Sequence, residues 1–425
     1  MKRVLIITYY WPPAGGPGVQ RWLYFAKYLK DFGVEPVVYV PENPTYPIVD
    51  DAMTDKTPDV EVVKRPIREP YKMAKFLSKK RTQQISRGII SEKDPSSLEK
   101  MMLFVRGNYF IPDARVGWVK PSVVFLRNFL TERSFDVIIT TGPPHSMHLI
   151  GLELKKILDI PWVADFRDPW TTIHYHKSMR LTKASEAKHK KLEADVLNSA
   201  DHIVVTSKTT KKEFSEITKK PISVITNGYE ITESITSELD NEFTLAHIGS
   251  LLSDRNPETL WKVLKEVTEE DTDFRKELRI SLTGVVGEEV LQSIREHGLE
   301  QNLIVNGYVS HAEAKRLQHS AQVLLLLEMD KEETRAIIPG KLFEYLAAGR
   351  PILSIGPEGS DISDILSETE SGAFFTPSEA SDLKEQILRY YSEYKSGAFH
   401  TQPKNINKYS RRELTRVLSD LIKSL

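Results

Sequence analysis

PGKLFEYLAAGRPIL, residues 339 to 353, carries a short helix and the start of a buried strand in fifteen residues. Pro339 and Gly340 open a helix, Gly349 closes it, and Pro351 starts a short apolar run of the kind buried in a parallel sheet. Glu344 is the lone carboxylate inside that apolar helix and therefore belongs near a strand edge. Lys341 shares its face, in a first turn where an ammonium opposes the helix dipole. An anion close to Lys341 would resolve the conflict. A surface pair between Lys341 and Glu344, contributing about 0.3 kcal/mol, is the plainer alternative.

Outward from that helix, strand-like runs alternate with helical patterns along the whole chain, as in parallel sheets built from βαβ units. The first series is VLIITYY (4–10), EPVVYV (35–40), VEVVKR (60–65), FDVIITTG (135–142), PWVADF (161–166), HIVVTS (202–207) and ISVITNG (222–228). A helical insertion at about 71–133 interrupts it and is far longer than an ordinary crossover. The polar run ITESITSELDNE (231–242) reads as a linker. A second series follows: FTLAHIGS (243–250), RISLTG (279–284), LIVNGYVS (303–310), QVLLLLEM (322–329), PILSIG (351–356) and GAFFTP (372–377). The expected division is an α/β domain at 1–230, a second at 243–400, and a helical tail within 401–425 with Leu414, Val417, Leu418 and Leu421 on one stripe.

A chain of 425 residues is too long for one ordinary core and fits two domains of about 200 residues. A formal net charge of -1 and a pI near 6.9 argue against nucleic acid as a partner, which would show as a basic excess. The absence of cysteine excludes disulfides, thiolate metal sites and cysteine nucleophiles, and fits a reducing compartment. The opening MKRVLIITYYWPP has too short an apolar run for a signal peptide, and no stretch approaches the roughly 20 apolar residues of a membrane span. A cytoplasmic protein, soluble or peripheral on the inner face of a membrane, is expected.

Five segments bring chemistry to the ends of predicted strands. In WPPAGGPGVQRW the cluster Gly15, Gly16 and Gly18 lets backbone approach a ligand before a helix start, although Arg21 stands where a dinucleotide fingerprint has its third glycine. A glycine-rich turn without function is the alternative. ADFRDPW puts Asp165, Arg167 and Asp168 at a strand end, where three charges are costly unless paired or used; an Arg167–Asp168 structural pair is the plainer option. TGPPHSMHL puts His145 and His148 at a helix start, as catalysts or as packing residues. His174 and His176 form an HxH that lacks the further ligands of a metal site, and no metal is expected. HIGSLLSDRNPETL places Gly249, Ser250 and Arg255 where a strand gives way to a helix, positioned for phosphate oxygens. In LIVNGYVS the backbone at Gly307 and Val309 can read a base edge while Tyr308 supplies a stacking wall, or Asn306-Gly307 is simply a turn.

Within the insertion, YKMAKFLSKKR (71–81) sets Met73, Phe76 and Leu77 among Lys72, Lys75, Lys79, Lys80 and Arg81. Such a helix can lie on an anionic membrane surface or pack on its own domain with a solvated basic face.

The donor-side segments, above all PGKLFEYLAAGRPIL, resemble those of retaining nucleotide-sugar glycosyltransferases of family 4. That resemblance implies the GT-B architecture: two Rossmann-like doubly wound domains facing a cleft, with the C-terminal helix returning to the first. It implies a nucleotide diphosphate-sugar donor as substrate, a glycan or lipid-linked acceptor, and neither cofactor nor metal. Glu344 would hold the ribose, Gly15 and Gly16 would face the diphosphate, Gly249, Ser250, Arg255 and Lys341 would meet its charge, and Gly307, Tyr308 and Val309 would frame the base. Asp168 and Arg167 would orient the sugar, Arg167 standing where many members have histidine. Tyr109, Asp113, Arg115, Trp118 and His145 become acceptor-side candidates. The family's Glu-x7-Glu pattern is incomplete, because Ala336 occupies the place of its first glutamate. Pro339-Gly340-Lys341 resembles the Pro-Ser-Lys of one subgroup.

Overall fold

A computed structural model of the chain describes residues 1–69, 97–173, 176, 179–231, 237–397 and 403–425. It contains two compact units, Met1–Asn227 with Arg411–Leu425, and Gly228–Ser410.

Unit 1 is built on strands β1 (Lys2–Ile7), β2 (Val34–Pro41), β3 (Glu61–Arg65), β4 (Val137–Gly142), β5 (Trp162–Phe166), β6 (His202–Val205) and β7 (Ile222–Val224), all parallel, in the order β3-β2-β1-β4-β5-β6-β7. Its helices are α1 (Pro17–Leu29), α2 (Ser97–Tyr109), α3 (Val119–Glu132), α4 (Ser146–Lys155), α5 (Lys183–Ser199) and α6 (Lys208–Ile217). Val4 to Ile7 are fully buried because successive side chains enter opposite layers, Leu5 and Ile7 one core and Val4 and Ile6 the other. Two covered faces are why these strands read as unbroken apolar runs.

Unit 2 carries β8 (Phe243–Ile248), β9 (Leu278–Thr283), β10 (Leu303–Gly307), β11 (Val323–Leu327), β12 (Ile352–Ile355) and β13 (Gly372–Phe375), parallel in the order β10-β9-β8-β11-β12-β13. Helices α7 (Glu258–Glu270), α8 (Thr272–Glu277), α9 (Glu288–Glu296), α10 (His311–Ser320), α11 (Gly340–Ala348), α12 (Asp361–Thr369) and α13 (Ala380–Ser396) flank it. Pro339 stands as the N-cap of α11, and Gly349 ends it in the left-handed region at φ 67°. The order of strands reverses between β1 and β4 in unit 1 and between β8 and β11 in unit 2. Those reversals open the crevices where ligands of doubly wound sheets bind.

The last helix, α14 (Arg411–Ser424), packs on α1, with Arg412 meeting Asp31 at 2.5 Å and the Ser419 hydroxyl donating to the Phe32 carbonyl at 3.2 Å. Leu414, Leu418 and Leu421 are buried as the stripe predicts. Val417 is 39% exposed, and the fully buried Ile422 completes the face instead, because the contact with α1 is narrower than the apolar spacing alone requires. The proposed basic helix at 71–81 lies outside the described residues, as does His174. No described helix is long and apolar enough to cross a membrane.

Candidate functional site

In unit 2 the residues converge at the carboxyl end of β8. His247, one residue before the strand's last, donates from Nδ1 to the Leu325 carbonyl at 3.0 Å, since a carbonyl can only accept. Its Nε2 is therefore the unprotonated nitrogen, and the Lys341 ammonium lies 3.3 Å from it. Burial, then the Lys341 charge, hold the His247 imidazole well below its ordinary pKa, which keeps it an acceptor. Gly249 follows at φ 133°, and a Cβ there would stand 3.2 Å from the Lys341 ammonium nitrogen. A glycine is thus required both by the backbone and by the lysine above it.

The second cation, Arg255, meets the Glu328 carboxylate at 3.4 Å. Glu328 follows β11 directly and is buried, its Oε2 facing Arg255 while Oε1 accepts no hydrogen bond among the described residues. Burial pushes this carboxyl up, against the pull of Arg255 and Lys341. The same burial lowers the Lys341 ammonium to about 8, opposed chiefly by Glu328. Lys341 and Glu344 are not paired: Glu344 accepts from the Gln318 amide at 3.1 Å, and no ion pair joins it to the lysine. The plain explanation of that sequence pair thereby falls. The first-turn ammonium is accommodated by His247 and Glu328, which sequence reasoning did not single out. The available signal was polarity: each is a lone polar side chain at the carboxyl end of an apolar run.

Beside this cluster the edge is bare backbone. Gly284, at φ 112°, ends β9, and its amide donates to the Gly307 carbonyl at 2.7 Å. Gly307, at φ 66°, closes β10. Ser250 is exposed, Val309 half-buried, and Tyr308 is 92% exposed. An aromatic ring left in water next to such an edge is available to stack.

In unit 1 the switch point is lined by groups that satisfy one another. The Asp165 carboxylate takes Arg21 at 2.8 Å, the Trp22 indole at 2.8 Å and the Thr141 hydroxyl at 2.8 Å. Burial alone would raise this carboxyl; Arg21 and the two neutral donors hold it below its ordinary value. Arg21, which breaks the dinucleotide fingerprint, is therefore half of a buried ion pair. Arg167 sends its guanidinium to the Gly142 and Pro143 carbonyls, and no ion pair ties it to Asp168 among the described residues. Burial pushes the half-buried Asp168 carboxyl up against the opposing pull of Arg167.

His145 precedes α4 and stacks on Trp170 with ring centroids 5.0 Å apart and an interplanar angle of 4°. Desolvation depresses both His145 and His148, the latter to about 3, so both imidazoles are neutral at ordinary pH. Gly15 and Gly16 divide their roles. A Cβ on Gly15 would come within 2.9 Å of Ile48, and the Gly15 amide donates to the Ile48 carbonyl at 3.1 Å, so the close approach there is to the chain itself. Gly16, at φ 97°, faces open space at the uncapped start of α1.

Three acceptor-side candidates are held by unit 1 itself. Trp118 is 1% exposed and stacks on Tyr39 within the core. Asp113 accepts from the Ser146 amide and hydroxyl, both at 2.8 Å, and so fixes the start of α4. Arg115 is buried against Glu69 at 3.3 Å and over the Tyr9 ring. All three are implied only by the resemblance, through the place of the insertion, which does not distinguish a loop anchor from a ligand contact. Tyr109, at the end of α2, is 75% exposed.

Comparisons with known proteins agree with this geometry. The model of Glycosyltransferase Family 4 matches residues 87–233, and that of Glycosyl transferases group 1 matches residues 242–393. A search of curated protein sequences finds no match. Sucrose-phosphate synthase from Thermosynechococcus elongatus superposes with a TM-score of 0.61 at 12% identity, covering 100% of this chain and 99% of that one. WaaG, a glycosyltransferase involved in lipopolysaccharide biosynthesis, gives 0.57 at 13%, covering 99% and 100%. A putative UDP-N-acetylglucosamine 2-epimerase from Listeria monocytogenes gives 0.57 at 10%, covering 100% and 96%. At such identities the likeness is one of fold, and that fold is GT-B.

Proposed function

We propose, for a chain that belongs to the group 1 glycosyltransferases and carries a family 4 domain, a retaining, metal-independent transfer of a hexose from a nucleotide diphosphate donor to a glycan or lipid-linked acceptor. The observation that supports it best is the pair of cations, Arg255 and Lys341, at the β8–β11 switch point beside an edge of glycine backbone. Two fixed positive charges near a helix start suit a diphosphate whose negative charge grows as the sugar departs. In this reading the bond from the anomeric carbon to the β-phosphate oxygen breaks, and the acceptor hydroxyl bonds to that carbon from the same face. The acceptor proton passes to the leaving phosphate.

Glu344, one turn along α11, takes the ribose hydroxyls, and Tyr308 stacks the base while the Gly307 and Val309 backbone reads its edge. Gly16 offers the amides of α1 to the diphosphate, and Asp168 and Arg167 orient the sugar. His145 and Tyr109 remain on the acceptor side. The reading puts the reaction in the cytoplasm, at the inner face of a membrane where the acceptor is lipid-linked, and in surface polysaccharide assembly. A melting screen of uridine, guanosine and adenosine diphosphates tests it, because a ligand of the folded state raises the melting point by mass action. One of the three is expected to stabilise the protein and to be released slowly from its sugar nucleotide without acceptor. Formation of a 2-epimer instead would replace the transferase reading with that of a sugar-nucleotide 2-epimerase, the rival that shares the fold.

A further inference from the structure

We propose that Glu328, which sequence reasoning passes over, is a positioning residue of the diphosphate site: its carboxylate holds the Arg255 guanidinium and keeps the Lys341 side chain a cation before any donor arrives. The proposal rests on the donor reading given above and adds to it the residue that prepares the site.

Glu328 is the first residue beyond β11, and its amide still donates to the Ile355 carbonyl at 2.9 Å, so its root is fixed in the sheet rather than in a loop. β11 pairs with β8, the strand that carries His247 near its end and is followed by Gly249. Only 8% of the residue is exposed, and one carboxylate oxygen has no hydrogen-bond donor among the described residues. An ionised carboxylate so placed is costly unless nearby cations compensate it.

The charges around Lys341 show what compensates what. Facing it are His247 from β8, Arg255 from the turn after β8, Glu328 from the end of β11 and Glu344 from its own helix. His247 is neutral and supplies only a lone pair, Arg255 repels, and Glu344 is turned to Gln318. Glu328 is the principal attraction left, and it is shared with Arg255. Without it two cations would sit together in a half-buried place with only the weaker pull of Glu344 as counter-charge. The lysine is the one that can yield, by losing its proton.

Glu328 is not itself suited to touch the donor. A carboxylate directed at a diphosphate would add like-charge repulsion, so its contribution is made in the empty site, by keeping both cations charged and in place. That division predicts a pH signature no packing role would give. Removing the charge should cost least nucleotide affinity at low pH, where Lys341 is protonated regardless and only the hold on Arg255 is weakened. At high pH affinity should fall, because the proton is then lost earlier.

The test uses Glu328→Gln and the charge-retaining Glu328→Asp in the full chain. The Lys341 ammonium is titrated by carbon NMR of its side chain, assigned with Lys341→Arg. The native midpoint should lie near 8. It should fall by about one unit or more in Glu328→Gln and stay close to native in Glu328→Asp. Calorimetry with uridine, guanosine and adenosine diphosphates should then show a loss of affinity in Glu328→Gln that is about tenfold larger near pH 9 than near pH 6. An unchanged Lys341 midpoint in Glu328→Gln, or a loss of affinity equal at both pH values, overturns the proposal. If Glu328→Gln fails to fold, a Glu328→Asp midpoint displaced as far as that of a neutral residue overturns it, and a native one supports it. If none of the three nucleotides binds the native chain, the donor reading falls, while the NMR midpoints still decide the link between Glu328 and Lys341.

Discussion

At the β1–β4 switch point of unit 1 the charges cancel, Arg21 against Asp165 and Arg115 against Glu69, and the histidines are neutral. At the β8–β11 switch point of unit 2, Arg255 and Lys341 share one buried carboxylate, Glu328. The same topology thus frames a balanced site and an unbalanced one. A fold tolerates unbalanced buried charge at a cost, and the economical explanation of such a cost is a ligand that brings the missing sign. Balanced charge at the other edge is suited to neutral, hydroxyl-rich groups, or is simply structural.

The sharpest way to break this contrast is to remove one partner on the balanced side. Asp165→Ala leaves the Arg21 guanidinium, the Trp22 indole and the Thr141 hydroxyl without their acceptor. A loss of about 3–5 kcal/mol is expected for breaking a buried pair. Chemical denaturation followed by tryptophan fluorescence measures it. A loss within the range of a surface substitution would mean that Asp165 is held for function and not for the fold.

On the unbalanced side the corresponding truncations should spare the fold and damage the chemistry. Lys341→Ala and Arg255→Ala are each expected to lower turnover by about a hundredfold, near 3 kcal/mol, with less effect on nucleoside binding, because both act on charge that grows as the diphosphate departs. Steady-state kinetics with the preferred sugar nucleotide separates kcat from KM. Normal turnover in both would place the diphosphate elsewhere.

The contrast also has a pH dependence. The Lys341 ammonium titrates near 8, lowered by burial, and a bound diphosphate would raise that value. The liganded state then holds the proton more tightly, so affinity is fully present below pH 8 and declines as pH rises through it. Calorimetry across that range should show a fall of up to about tenfold per pH unit. Affinity constant to pH 9 or beyond would mean that Lys341 is not a ligand contact. The unit 1 histidines add no opposing trend at neutral pH, since burial keeps both uncharged.

All thirteen strands can be anticipated from the sequence, the central ones most plainly, because strands covered on both faces carry no polar alternation to obscure them. The errors lie at their carboxyl ends: VLIITYY (4–10) yields a strand ending at Ile7, and QVLLLLEM (322–329) one ending at Leu327. There the chain leaves the sheet with residues whose composition still resembles a strand. Those surplus residues include Glu328, the carboxylate beside Arg255. Pairing is what remained illegible. Asp165 and Arg21 were each noticeable in sequence, but 144 residues separate them, and no local pattern tells that one neutralises the other.

The smallest expected effect concerns Tyr308, the most exposed aromatic at the donor edge, with 92% of its surface open. A ring so placed contributes little to stability, so Tyr308→Ala should leave the melting temperature of the free protein essentially unchanged. If the ring stacks on the nucleobase, its removal should weaken nucleotide binding by about 1 kcal/mol, roughly fivefold, with kcat nearly unaltered. Tyr308→Phe should retain native affinity, since the face and not the hydroxyl does the stacking. Inorganic diphosphate, which has no base, should bind the native and Tyr308→Ala proteins alike. Equal loss for nucleotide and inorganic diphosphate would show that the substitution disturbs the Gly307 turn rather than a base contact, and would leave the cation pair as the sole recognition element of that edge.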